Sequence, residues 1–241
     1  TGAGLAGLLA AVLAVCQAGD HVLCPAELYG GSVVLLSNEL TRLGIETSYV
    51  PLADLYDIAK HRKPNTKLVL AEVLSNPLLV VLDGPRLAQA CQEQGILLLI
   101  DSSFTTPMLT QPLSWGADMV WHSATKYLAG HSDVTAGVVV ARDPAIAKNL
   151  RRLATNLGLM LAPMDSWLAV RGLKTLRLRM RQHSENAMSL ARFLADSPAA
   201  GAPPAQRASL GITPGVIRLS VGIEEVADLL VDLEHALGEA L

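Results

Sequence analysis

After an apolar run at 118–122 the chain reads Ser123-Ala-Thr125-Lys126-Tyr-Leu-Ala-Gly130-His131-Ser-Asp133. A lysine at the mouth of a sheet can act as a counter-ion, as a phosphate ligand, or as an amine that forms an imine with a carbonyl. Ser123 and Thr125, three residues and one residue before it, carry hydroxyls that suit a phosphate. Two other apolar runs also end in polar groups. Residues 67–71 run into Glu72 and Asn76, and residues 96–100 run into Asp101, Ser102 and Ser103. Ligands of open parallel sheets sit beyond the carboxyl ends of the strands, so three such ends together define a candidate site.

A molecule that combines an aldehyde with a phosphate would use all of these groups. Pyridoxal phosphate is one: Lys126 would take the aldehyde, Ser123 and Thr125 the phosphate, and Asp101 the pyridinium nitrogen. The residues alone leave this reading open beside that of an ordinary phosphate-binding lysine. The opening "GAGLAG" has two readings of its own. Gly2, Gly4 and Gly7 form a literal G-x-G-x-x-G, and Glu27 lies about twenty residues on, the spacing of a dinucleotide fingerprint in an NAD-dependent oxidoreductase. Alternatively, the backbone amides of Gly4 and Leu5 open a helix and hold the phosphate of a smaller cofactor.

The elements that would position these residues alternate along the chain. Helices are expected at about 5–17, 31–43 and 85–94, each stopped by a glycine, Gly19, Gly44 or Gly95. Strands are expected at 21–24, 46–50, 67–71, 96–100, 118–122 and 136–141. Short, continuous aliphatic runs between helices are the pattern of strands buried on both faces, so the plan is α/β with a mostly parallel sheet. From about 143 to 196 the pattern is helical. "DSPAAGAPPAQR" then reads as a linker or a seam, followed by a strand, "VIRLSVGI", and an amphipathic helix, "EEVADLLVDLEHAL".

Composition narrows the class. With 241 residues, 51% of them hydrophobic, the chain can build a large core. A net charge of -3 argues against a nucleic-acid partner, and the densest basic cluster, at 171–183, has the spacing of a solvated helix face. Three scattered cysteines without a C-x-x-C, and six histidines with no pair at ligand spacing, point to reduced thiols in the cytoplasm and to no metal site. The apolar stretch 2–16 lacks a basic leader and reads as a buried helix; no window is long enough to suggest a membrane span.

Taken together, "SATKYLAGHSD", "LYGGS", "SNP", "PLSWGAD" and "IRLSVGIEE" resemble the Cys/Met-metabolism, or trans-sulfuration, family of pyridoxal-phosphate enzymes. The motifs occur in family order across nearly the whole chain. The resemblance implies fold type I of the pyridoxal-phosphate transferases, with a seven-stranded type of sheet flanked by helices. It implies a cofactor-binding domain over 1–176 and a small α/β C-terminal domain over 177–241, incomplete around a seam near 197–205. By this resemblance Lys126 carries the cofactor, Asp101 pairs with its ring nitrogen, and Gly4, Leu5, Ser123 and Thr125 bind its phosphate. Tyr29 stacks on the ring, Asn76 lies near the ring hydroxyl, Glu72 is an acid of the same motif, and Arg218 grips the substrate carboxylate. His131 and Asp133 shape the loop after the lysine.

The implied activity is carbon–sulfur bond cleavage in cystathionine or a related sulfur amino acid. Cystathionine gamma-synthase or O-acyl-homoserine sulfhydrylase activity is the alternative, and an inactive homologue or an NAD enzyme a third. The family also implies a homodimer or homotetramer. The chain departs from the family pattern at Ala3, which replaces a hydroxyl residue, and at "DSSF", "EVLSNP" and "YGGSVVLL". A family segment with a tyrosine and an arginine before Thr1, and a specificity segment before "RASLGI", have no counterpart in the sequence.

Overall fold

The computed structural model describes residues 1–196 and 218–240. They group into two units, Thr1–Lys174 and Thr175–Leu241.

The first unit opens with α1 (Gly4–Val15), a run of Gly, Ala, Leu and Val that buries residues on several sides. Then come β1 (His21–Pro25), α2 (Gly30–Val34), a π-helical continuation over Leu35–Leu40, and β2 (Glu46–Val50). Two short turns, α3 (Leu52–Leu55) and α4 (Ile58–His61), lead to β3 (Thr66–Glu72). After α5 (Gly84–Glu93) come β4 (Leu97–Asp101), α6 (Thr106–Leu109), β5 (Met119–Ser123), β6 (Gly137–Ala141), α7 (Pro144–Asn156) and α8 (Pro163–Leu173). Local signals set several of these limits. The Asp83 side chain accepts the Arg86 N–H at the start of α5, Pro85 occupies its first turn, and Gly95 at φ +64° ends it.

The sheet has the order β2-β1-β3-β4-β5-β6, parallel throughout except for β6, which runs antiparallel to β5. The resemblance implied a seven-stranded type; six strands are found among the described residues. Side chains alternate between two cores as the period of a strand requires. Val22, Cys24, Leu68, Leu70 and Leu99 join α1 and α7, whereas Leu23, Val69, Ala71, Leu98 and Ile100 join α5 and its neighbours. Each fully buried leucine contributes about 1.5–3 kcal/mol relative to exposure.

Two expected boundaries shift in a way that matters. The strand expected at 96–100 extends to Asp101, and the one expected at 118–122 extends to Ser123. The two polar residues therefore take part in the strand ladders, with Asp101 opposite Glu72 and Ser123 opposite Gly137.

The second unit contains α9 (Leu176–Asp196) and α10 (Val226–Ala240). The strand expected from "VIRLSVGI" is not formed by residues 218–223; residues 216–217 and nearly all of the linker lie outside the described residues. A strand needs a neighbour for its backbone groups. Here α9 supplies side chains instead: Asn186 donates to the Gly222 and Glu224 carbonyls at 3.2 and 2.8 Å, and the His183 Nδ1 lies 2.8 Å from the Val221 carbonyl.

Helix α8 passes so close to the loop after Lys126 that a Cβ on Gly172 would run into the Ala129 carbonyl. Gly172→Ala is expected to destabilise the protein by about 1–3 kcal/mol, as overpacking against backbone does. A melting temperature equal to that of the wild type would refute this contact.

Candidate functional site

The five parallel strands place their carboxyl ends along one edge, and the sequence-predicted residues of the first unit lie there or at the start of α1. Helix α1 begins at Gly4, and no side chain caps its first N–H groups. It lies hard against β5. The Trp121 Nε1 donates to the Gly4 carbonyl at 2.8 Å, and a Cβ on Gly4 would stand 2.8 Å from the Ser123 Oγ. Gly7 keeps the next turn clear of the Trp121 indole. The glycines of "GAGLAG" thus seat a helix start on a strand end. That leaves uncapped amides and the Ser123 hydroxyl, which has no protein partner among the described residues, beside one another. The arrangement suits a phosphate. Leu5 is exposed in the same first turn.

Glu27, the acid of the dinucleotide reading, is engaged elsewhere, since its carboxylate accepts the Leu52 N–H at 3.0 Å. Thr125 is also engaged. Its hydroxyl donates to the Ala136 carbonyl at 3.2 Å and accepts the Ala136 N–H at 2.9 Å. The Thr125 N–H reaches the same carbonyl, so the hydroxyl proton can turn to a phosphate without leaving that carbonyl bare.

Lys126 follows on a turn whose N–H donates to the Ser123 carbonyl at 3.1 Å. Its side chain is exposed, not desolvated, and no partner holds its amine among the described residues. The loop beyond it is shaped as expected: His131 Nδ1 lies 2.7 Å from the Ala129 carbonyl, and Asp133 pairs with Arg171 at 3.3 Å.

Asp101 is 9% exposed at the end of β4. Burial raises its carboxyl to about 6, against hydrogen bonding by Ser103, whose N–H lies 2.8 Å from the Asp101 Oδ1. The same Ser103 accepts the Ser123 N–H on its hydroxyl at 2.6 Å. Ser103 therefore ties the acid of β4 to the backbone of Ser123 at the end of β5, a link that neither residue type nor spacing reveals. Neighbouring Glu72 is 7% exposed, and burial, together with the Asp101 charge, raises its carboxyl to about 8. It accepts the backbone N–H of Tyr29 at 2.7 Å and that of Asn76. Tyr29 is 46% exposed, and its ring lies over Gly31, where a Cβ would stand 2.5 Å from Cε1. Arg218 lies in the second unit and is exposed.

Among the described residues no group of three or more His, Cys, Asp and Glu side chains could hold a metal, and no helix is long and apolar enough to cross a membrane.

Three outcomes follow from this geometry. Gly4→Ala is expected to fold but to weaken binding of pyridoxal phosphate at least tenfold, measured by absorbance titration; undiminished affinity would remove the helix start from the site. Gly31→Ala is expected to keep its melting temperature within about 1 kcal/mol equivalent, since alanine suits a helix. The Tyr29 ring must then move, which a crystal structure of the variant would show. The third concerns pH. The folded protein holds the Glu72 and Asp101 protons more tightly than the unfolded chain, whose values are near 4.5 and 3.8. Their contribution is therefore full below those values and is lost as pH rises through about 6 for Asp101 and about 8 for Glu72. Protein free of cofactor is expected to lose stability between pH 5 and 8, and Glu72→Gln to flatten that loss. Identical pH profiles for the two proteins would contradict the assignment.

Known proteins match this architecture. The profile of the family described as "Cys/Met metabolism PLP-dependent enzyme" matches residues 1–202 and 199–238. The cystathionine gamma-lyase of Bacillus subtilis (strain 168) is 34% identical over 299 aligned positions, covering 95% of this chain and 79% of its own. The cystathionine beta-lyase of Lactococcus lactis subsp. cremoris (strain MG1363) is 36% identical, covering 97% and 80%. A cystathionine gamma-synthase/O-acetylhomoserine (thiol)-lyase of B. subtilis (strain 168) is 43% identical over 183 residues, 76% of this chain and 49% of its own. Among solved structures, a cystathionine gamma-lyase from Lactobacillus plantarum complexed with L-serine superposes with a TM-score of 0.87 at 29% identity, covering 98% of this chain and 80% of that one. These matches overturn the NAD reading of the glycines. The chain belongs to the Cys/Met metabolism family of PLP-dependent enzymes.

Proposed function

We propose that this enzyme is a carbon–sulfur lyase that acts on cystathionine or a related sulfur amino acid, with pyridoxal phosphate held at the carboxyl edge of the sheet. The observation that carries the reading is the meeting of the Gly4–Ser123 cradle, buried Asp101 and Lys126 at the ends of β4 and β5. The names of the lyase relatives support it.

When bound, pyridoxal phosphate supplies an electron sink that acidifies the Cα–H of an attached amino acid. The chain supplies the rest. The uncapped amides of Gly4 and Leu5, with the hydroxyls of Ser123 and Thr125, bind the phosphate. Asp101 holds a proton at the ring nitrogen. Burial raises both the Asp101 and the Glu72 carboxyls, and a pyridinium nitrogen beside Asp101 would favour its ionised form. Lys126 would hold the cofactor at its aldehyde carbon, and its Nζ is the base that would take the substrate Cα proton. Tyr29 flanks the ring and Asn76 its hydroxyl. Cytoplasmic location and a homodimer or homotetramer belong to the same reading; light scattering of the purified protein tests the assembly.

Gamma-replacement is the second reading. The identity of 43% to a gamma-synthase/thiol-lyase over 76% of the chain favours it. Product analysis separates the two: pyruvate or 2-oxobutyrate from cystathionine supports a lyase, and cystathionine formed from an activated homoserine and cysteine supports the synthase.

Lys126→Ala is expected to lower turnover by about 10²–10⁴-fold or more, the range for loss of a general base. Borohydride should fix the cofactor to Lys126 in the wild type. Turnover at the normal rate in the variant would defeat the mechanism.

A further inference from the structure

Glu72 is buried at the end of β3, where an apolar side chain would cost less to desolvate. Its carboxyl takes two backbone N–H groups from two different loops. One belongs to Tyr29, at the start of α2 after β1, and the other to Asn76, in the loop after β3. The chain crosses from β2 over β1 to β3 at this place, so the strand order reverses between these loops. At such a switch point the connections leave the sheet in opposite directions and open a crevice. Among the described residues, the paired register of β1 and β3 ends at Leu23 and Val69, before either loop begins. Tyr29 also has no side-chain cap of its own on α2.

We propose that Glu72 is a positioning residue: one carboxyl fastens the loops of Tyr29 and Asn76 across the switch point, so that both side chains meet the cofactor ring in a fixed register. The proposal rests on the assignment of Tyr29 and Asn76 to the cofactor. Asp101, paired with Glu72 across β3 and β4, is the charged neighbour that bears on it. Burial raises both carboxyls of this ladder pair. Gly31 completes the arrangement by letting the Tyr29 ring lie over α2 once its backbone is anchored.

Two measurements test this: hydrogen exchange of the cofactor-free protein, and visible circular dichroism of the protein saturated with pyridoxal phosphate. Glu72→Ala is expected to speed exchange at least tenfold in segments 26–32 and 74–80 together. It should also reduce the dichroism of the cofactor band by at least half, because that signal depends on the fixed placement of the ring against its neighbours. Val73→Ala removes adjacent buried packing but keeps the carboxyl, and should leave both readouts as in the wild type. Glu72→Gln retains an acceptor oxygen and should recover the protection of at least one loop. If Glu72→Ala does not fold, Glu72→Met, similar in length and without a comparable acceptor, takes its place with the same expectations. Wild-type exchange in both loops of the alanine or methionine variant overturns the clamp. Equal losses in Val73→Ala also overturn it, because packing would then explain them. Wild-type protein that fails to bind pyridoxal phosphate would defeat the functional reading, while the exchange measurement would still decide the clamp.

Discussion

Five strands run in one direction, the inner four of the sheet largely buried, and the rest of the molecule follows from that. A parallel sheet buried on two sides leaves its polar backbone ends at two edges only. The carboxyl edge gathers the ends of β3, β4 and β5, and with them Glu72, Asp101 and Ser123. Helix α1 adds its N-terminus there because Gly4 and Gly7 let it approach β5 more closely than any side chain would allow. The site is thus a product of strand direction and one close helix–strand contact.

The electrostatics of that edge depend on depth. Asp101 and Glu72 face each other across one ladder, and both are raised above ordinary carboxylate values chiefly by burial. The difference between them comes from their surroundings. Asp101 has only burial against it and is relieved by Ser103. Glu72 has burial and the Asp101 charge against it, relieved by two backbone amides. The result is a pair of buried carboxyls that resist ionising together. A buried anion without a counter-charge is costly in a protein free of cofactor, and it is the feature that a pyridinium nitrogen would relieve.

Much of this was legible from residue types. Apolar runs marked most of the six strands among the described residues, and the polar residues that ended three of them marked the candidate site. Family motifs supplied roles that spacing could not. Other features were hidden. The limits of β4 and β5 shifted toward their polar residues, because ladder pairing and not hydrophobicity decides where a strand stops. Ser103 was visible as a polar residue at a strand end and Gly31 as part of a motif, but not their contacts: Ser103 meets Ser123, which only folding brings near it, and Gly31 lies under the Tyr29 ring. The expected strand at 216–223 failed over its described part for a related reason: α9 side chains, not a neighbouring strand, meet those carbonyls.

The sequence by itself determined the alternation of helices and strands, the buried character of the sheet, and the kind of chemistry that a lysine, two hydroxyls and an acid can perform. Those properties are local: they depend on periodicity, on turn-forming glycines and on side-chain functional groups. Tertiary structure decided which groups act together. It set Gly4 against Ser123, joined Asp101 to Ser123 through Ser103, engaged Glu27 at Leu52, and placed Glu72 across two loops. Each of these is a contact between residues far apart in the chain. Its existence depends on strand order and register, which no short stretch of sequence encodes.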